Sequence, residues 1–287
     1  MVLYNPKDWW RLIFAFHKSD TFRRTFPGIV GVAIYTGLIN YLEKEVLQVE
    51  FANTLNIHSL VGFVLSLLLV FRTNSAYERW WEGRKIWGSF VNNSRNLALK
   101  IDAIITNQNV KTIFSILISN YILASKDHLQ NKANSQLLRT SEKYPSEYYA
   151  SFKHLPNVVA KAMYREVQEL KENGSLTDEQ LLYLNLELKS FTDNIGACER
   201  IKKTPIPFSY NIFIKKVIFL YVFTMPIGFV QTFDYWAMPI VALIFYIFSS
   251  IELIAEEIED PFGDDANDLP INDIYQTIKA NVTEILE

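Results

Sequence analysis

The chain has 287 residues, 49% of them hydrophobic, with 20 Phe, 15 Tyr and 6 Trp, a balance that suits a membrane protein. A formal net charge of −3 is too small to speak for a nucleic-acid partner. Its one cysteine, Cys198, excludes an intrachain disulfide and a cysteine-based zinc spacing.

Residues 1–24 read as a cytoplasmic or interfacial segment. Trp9 to Phe16 is too short for a cleavable signal, is interrupted by Arg11, and is followed by no small-residue cleavage site. Four runs then lack Lys, Arg, Asp and Glu: Thr25–Leu42, Phe51–Phe71, Val217–Phe233 and Tyr235–Ile251. A hydrocarbon layer about 30 Å thick takes about 20 helical residues, with aromatic and cationic anchors at its edges. The runs therefore predict four membrane crossings, two within residues 25–81 and two within 209–255. Buried helices of a water-soluble protein are usually shorter, which disfavours a soluble bundle.

Charge sets the orientation. Lys7, Arg11, Lys18, Arg23 and Arg24 precede the first span, Arg72, Arg79, Arg84 and Lys85 follow the second, and Lys202, Lys203, Lys215 and Lys216 precede the third. The short outer connections hold only Lys44 as a cation. Positive charge collects on the cytoplasmic side, so both termini and residues 82–208 are expected there. The outer connection carries Glu43, Glu45 and Glu50, which several copies would gather into an acidic mouth leaning toward cations.

Residues 82–208 alternate charged side chains with Leu, Ile and Tyr at three-to-four spacing, which predicts long amphipathic helices and no sheet. Asn131–Ser146 is polar, with Tyr144-Pro145 near its end, and reads as a loop. Asn173-Gly174 stops one helix, and Thr177 with Gln180 offers a capping box for the next. Along that next helix Leu181, Leu184, Leu188, Phe191, Ile195 and Cys198 make a seam that needs a partner helix, from the same chain or from a neighbour. Cys198 reads as a small packed hydrophobe.

Catalytic signatures are missing. His17, His58, His128 and His154 are scattered, with no pair at i, i+3 or i+4, and there is no phosphate-binding glycine loop and no Gly-x-Ser-x-Gly. Residues 256–287 form an acidic C-terminal segment; the carboxylate run from Glu252 to Asp268 encloses Pro261 and Gly263, a turn of the kind that can offer oxygens to a hard cation, although a solvated loop explains it as well. In the second span, Phe63, Leu67 and Phe71 at i, i+4 and i+8 share one stripe. Ser59, Gly62 and Ser66 lie on an adjacent small-residue stripe of the type that lets helices approach in lipid. Around an axis of several copies, the larger stripe would make a hydrophobic neck able to gate by dewetting; facing lipid or other helices is the plainer account.

Four separated motifs together resemble the bestrophin family in its bacterial branch. They are Arg11-Leu-Ile-Phe14, Gly62 through Phe71-Arg72-Thr-Asn-Ser-Ala-Tyr-Glu-Arg-Trp80-Trp81 to Gly88, Cys198-Glu199-Arg200-Ile201 with Thr204-Pro-Ile-Pro-Phe208, and Glu259-Asp260-Pro-Phe-Gly263 with Asn267-Asp268-Leu-Pro270. The resemblance implies an all-α membrane protein, assembled as a homopentamer around one pore lined by the second membrane helix, with Phe63, Leu67 and Phe71 as its neck. It implies a second, cytoplasmic constriction that falls here on Glu179 or Gln180, where relatives often carry an aliphatic residue. It also implies a calcium clasp matching Glu257, Asp260, Asp265 and Asp268, with a backbone carbonyl from around Val2; Ala266 and Asn267 thin the acidic run of animal members.

The resulting expectation is a passive channel for small monovalent ions, of either sign, in the bacterial inner membrane. It has no catalytic residue and no required cofactor, with calcium as an optional ligand; its partners are its own copies, lipid and the permeant ions. Two other readings stand beside it. One is a membrane scaffold using the Leu181–Ile195 seam as a partner surface. The other is a metal-dependent transferase built on Asp260, Asp264, Asp265 and Asp268, which would need a second acidic cluster that the sequence does not offer.

Overall fold

Helix-forming residues dominate the chain and glycine is sparse, and the computed structural model is accordingly helical throughout. It describes Trp10, residues 20–48, 54–150 and 152–287; the Arg11–Phe14 motif, Val2, His17, Glu50 and the start of the second apolar run at Phe51 lie outside the described residues. Among the described residues there is no strand. The α-helices are α1 (Asp20–Tyr41), α2 (Leu55–Ile104), α3 (Gln108–Leu129), α4 (Ser146–Ala150), α5 (Leu155–Glu172), α6 (Asp178–Lys203), α7 (Phe208–Phe233), α8 (Ala237–Glu259) and α9 (Ile271–Leu286).

The chain divides into two units: the described residues up to Arg79 with Pro205–Glu259, and Trp80–Thr204 with Asp260–Glu287. The first is apolar. Three stretches, Thr21–Leu47, Leu55–Ile104 and Phe208–Glu259, are long and apolar enough to cross a membrane. The third has 52 residues, which as one straight helix would be about 78 Å long. Instead it doubles back at a 3₁₀ turn, Asp234–Trp236. Tyr221 meets Phe248 edge-on with centroids 5.6 Å apart, and Lys215 reaches Glu256 at 2.8 Å, so α7 and α8 form a hairpin.

Helix α1 lies against α7 and α8. Its glycines make this possible: a Cβ on Gly28 would sit 2.7 Å from the Phe245 ring, and one on Gly37 would sit 3.0 Å from Met238. Within this unit α2 buries one stripe, His58, Gly62, Leu65, Leu69, Arg72 and Ala76, at alternating steps of four and three. Leu65 and Leu69 join Ile214, Ile218, Tyr221, Val222, Met225 and Val241 in its core.

In the amphipathic unit α3 is the central helix, buried continuously from Phe114 to Ser125 and packed by α5, α6 and α9. The Thr177–Gln180 capping box opens α6 as its sequence predicts, each partner receiving the other's backbone N–H at 3.0 and 3.2 Å. The α6 seam faces inward: Leu184, Leu188, Phe191, Ile195 and Cys198 are buried among α3, α5 and their own chain's core. The scaffold reading must therefore be corrected, because the seam is consumed by intrachain packing and offers no surface to a partner. Burial also pushes the Cys198 thiol pKa up, in keeping with a packed hydrophobe.

Candidate functional site: an exposed stripe on α2 and the charges around it

Phe63, Leu67 and Phe71 project from α2 opposite its buried stripe, and all three are exposed in the single chain, Phe63 and Phe71 by 63% each. Ile57, Leu60, Val64 and Val70 are exposed around them. The small-residue stripe behaves differently from its expectation. Gly62 alone is buried, and a Cβ there would lie 2.5 Å from the Tyr221 hydroxyl, so this glycine does permit a close approach of α2 and α7. Ser59 and Ser66 are exposed; the Ser66 hydroxyl is turned back onto the Gly62 carbonyl at 2.7 Å.

One residue after Phe71 the environment inverts. Arg72 is 1% exposed, donates from Nη2 to Glu259 at 2.7 Å, and has Nε 3.7 Å from Glu252. Glu259 also accepts the Ile206 N–H at 2.7 Å and an Asn211 amide at 3.5 Å, while its own carbonyl accepts from Arg79 at 3.1 Å. A guanidinium buried in an apolar unit persists only where carboxylates and backbone groups compensate it. Arg72 is thus a structural tie of α2 to the end of α8. Sequence reasoning missed this partnership, since the two ends lie more than 180 positions apart.

The outer connection is also corrected. The π-helical turn Leu42–Leu47 folds Glu43 inward, and Lys44 pairs with Asp234 at 2.8 Å, a carboxylate that Asn40 also reaches at 3.1 Å. Of the two described glutamates there, only Glu45 faces out, so Glu43 contributes nothing to an acidic mouth.

The carboxylates matched to a calcium clasp fall in both units. In the apolar unit, Glu257 is buried and pairs with Arg24 at 3.1 Å. In the amphipathic unit the Pro-Phe-Gly segment is a tight turn: Asp268 is buried and accepts the Asp265 N–H at 2.6 Å, Leu269 N–H bonds to Pro261 carbonyl at 3.0 Å, and Phe262 is fully buried beside Gly83. Asp260 accepts from the Phe262 N–H at 3.4 Å. Asp264, offered to a transferase metal, is engaged by Lys132 and by Gln130 at 3.1 Å. Glu179 stands exposed on the first turn of α6, where backbone N–H and the Thr177 hydroxyl hold its carboxyl below the usual range; the Gln180 side chain is spent on the capping box.

Two histidines that the sequence leaves scattered do meet. His128, His154 and Glu199 bring three ligand atoms within 4.8 Å of one another. No local spacing foretells this, because the three come from α3, the segment before α5, and α6. The expectation of no histidine cluster is corrected accordingly. His58, by contrast, is buried in the apolar unit between the Thr54 carbonyl at 3.0 Å and the Thr224 hydroxyl at 3.2 Å.

Against known proteins, residues 1–284 match the bacterial/fungal bestrophin family. A voltage-dependent anion channel-forming protein of Nostoc sp. is 33% identical, over 97% of this chain and 92% of its own length. One from Escherichia coli K12 is 28% identical, over 99% and 94% respectively. A crystal structure of a bacterial bestrophin homologue from Klebsiella pneumoniae superposes with a TM-score of 0.85 at 24% identity, covering 90% of this chain and 97% of that one. That last likeness is one of fold.

Proposed function

This chain belongs to the bacterial/fungal bestrophin family and is a membrane channel rather than an enzyme, and on that premise we propose that it passively conducts small monovalent ions through a neck made of Phe63, Leu67 and Phe71 from five copies. The observation that carries the reading is the contrast on α2. A buried stripe that includes Arg72 fixes the helix in its own chain, while the apolar stripe bearing the three neck residues is left for something outside that chain. A ring of such side chains repels water from a narrow passage and so resists ions until it widens.

Four crossings, with both termini on the cytoplasmic side of the inner membrane, belong to the same proposal. The α7–α8 hairpin supports the count, since it turns the third long apolar stretch into two helices. The cationic residues near the inner ends of the spans support the orientation.

Ion sign is carried by no charge in the neck itself. The names of the relatives favour anions, and the burial of Glu43 withdraws support from a cation preference. Purified protein in liposomes tests the channel, and reversal potentials under asymmetric NaCl test the sign. Flux is expected from the wild type and larger flux from the triple change Phe63→Ala, Leu67→Ala, Phe71→Ala. If neither protein passes any ion, the channel reading fails.

Two finer sites go with it. A second constriction at Glu179 and Gln180 predicts that Glu179→Ala alters the anion-to-cation permeability ratio; an unchanged ratio removes that ring from the path. Calcium held by Glu257, Asp260, Asp265 and Asp268 predicts that calcium and chelator shift gating or melting temperature; indifference of both discards the site.

A further inference from the structure

We propose that His128, His154 and Glu199 form a binding site for a divalent transition metal of the zinc class, with water completing the coordination. The site lies wholly in the amphipathic unit and does not depend on the ion path. His128 sits in the last turn of α3, His154 is the N-cap of α5, and Glu199 is in the closing turns of α6. The Nε2 atoms of both histidines aim at a single oxygen, Glu199 Oε1, at 2.8 and 2.7 Å, and the two rings have centroids 4.4 Å apart.

Around a tetrahedral zinc ion with ligand bonds of about 2.1 Å, neighbouring ligand atoms stand about 3.4 Å apart. The two nitrogen–oxygen separations of 2.8 and 2.7 Å therefore need to open by about 0.6–0.7 Å, less than one rotamer change, to admit an ion. Two imidazoles with one carboxylate suit a borderline metal better than calcium or magnesium, which prefer oxygen ligands throughout. The three side chains are 20–32% exposed, enough for an ion to enter from solvent and keep a water.

Nearby cations do not occupy the ligand atoms. Lys203 approaches the other carboxylate oxygen, Oε2, at 3.5 Å, and Lys202 is bound to the Leu129 carbonyl and to Asn131 at 2.8 Å.

Coordination rearranges two protons, because the Glu199 carboxylate only accepts and both rings therefore donate to it from Nε2 in the metal-free protein; on metal binding each Nε2 proton passes to its own ring's Nδ1. The Asn157 N–H donates to His154 Nδ1 at 3.2 Å, so the metal-free ring carries its proton on Nε2 and gives it to Glu199. Binding a metal through Nε2 moves that proton to Nδ1, with no net change in protonation, and the Asn157 N–H loses its acceptor. The metal thus ties α3, α5 and α6 together while loosening the first turn of α5.

Titration of chelator-stripped full-length protein in detergent with ZnCl2 tests the site, read by calorimetry and by melting temperature. We expect one saturable zinc ion per chain, a raised melting temperature, and faster amide exchange at Asn157 on binding. Affinity should fall at least tenfold in His154→Ala and Glu199→Gln and stay unchanged in Asp264→Asn. Cobalt should give visible absorption bands of a tetrahedral site, lost in His128→Gln, whose fold is checked by circular dichroism. Failure to bind zinc, or wild-type affinity in both His154→Ala and Glu199→Gln, overturns the proposal. Binding with Asn157 exchange unaltered overturns it as well, since His154 would then not be a ligand.

Discussion

Helices α2 and α3 solve opposite problems. In the amphipathic unit α3 is wrapped on every side, buried without interruption from Phe114 to Ser125, and has no face left to offer. In the apolar unit α2 is gripped along one narrow stripe and is open elsewhere, with Phe63 and Phe71 63% exposed while their neighbours Gly62 and Arg72 are buried. A helix held on one stripe can be fixed in place and still present a functional face. Substitutions on the two faces of α2 should therefore separate stability from conduction.

The largest effect is expected at the grip. Arg72→Ala leaves Glu252 and Glu259 buried with their cation gone, which costs about 3–5 kcal/mol, so little folded protein should survive detergent extraction and size-exclusion chromatography. An Arg72→Ala protein that melts like the wild type would place the charge tie outside the structure's stability. Next comes Gly62→Ala, whose new methyl meets the Tyr221 hydroxyl and forces α2 from α7 at about 1–3 kcal/mol; a lowered melting temperature in detergent checks it, and Tyr221→Phe in the same background should restore part of the loss.

In the amphipathic unit Thr177→Ala removes one half of the capping box at a cost of about 1 kcal/mol, measurable by chemical denaturation. The smallest stability change is expected on the open face: Leu67→Ala should stay within about 0.5 kcal/mol of wild type in stability while raising single-channel open probability. Equal stability losses at Leu67 and at Gly62 would erase the distinction between the two faces.

Much of this architecture is legible in the residues. The apolar runs, the capping box at Thr177 and Gln180, and the turn at Asp234 all rest on local signals of spacing and side-chain chemistry, and the four motifs point to the family. The stripe of Phe63, Leu67 and Phe71 is legible as a stripe, because i, i+4 spacing needs no tertiary knowledge. Which side of α2 is buried is not, since Leu65 and Leu69 are as apolar as Leu67 and a rotation of about 100° separates one residue from the next. Illegible too are partnerships across long separations. Arg72 looks like an ordinary membrane-edge cation until Glu252 and Glu259 are brought to it, Glu43 looks solvent-facing until a π-turn folds it in, and His128 and His154 have nothing in common until Glu199 stands between them.

Asn120 shows what a single buried amide can do to an apparently ordinary loop. From the middle of α3 its side chain donates to the Arg139 carbonyl at 2.7 Å and accepts the Arg139 N–H at 2.8 Å, and Leu138 and Tyr144 on either side are buried. The carbonyl it holds is the one trypsin must attack to cut between Arg139 and Thr140. A protease needs several residues free to adopt extended form, and here Leu138 is buried and both backbone groups of Arg139 are held by Asn120, so brief digestion of the native protein should spare this bond although the surrounding sequence looks like a linker. Where this chain is cut in a cell will follow the grip of its interior rather than the position of its basic residues.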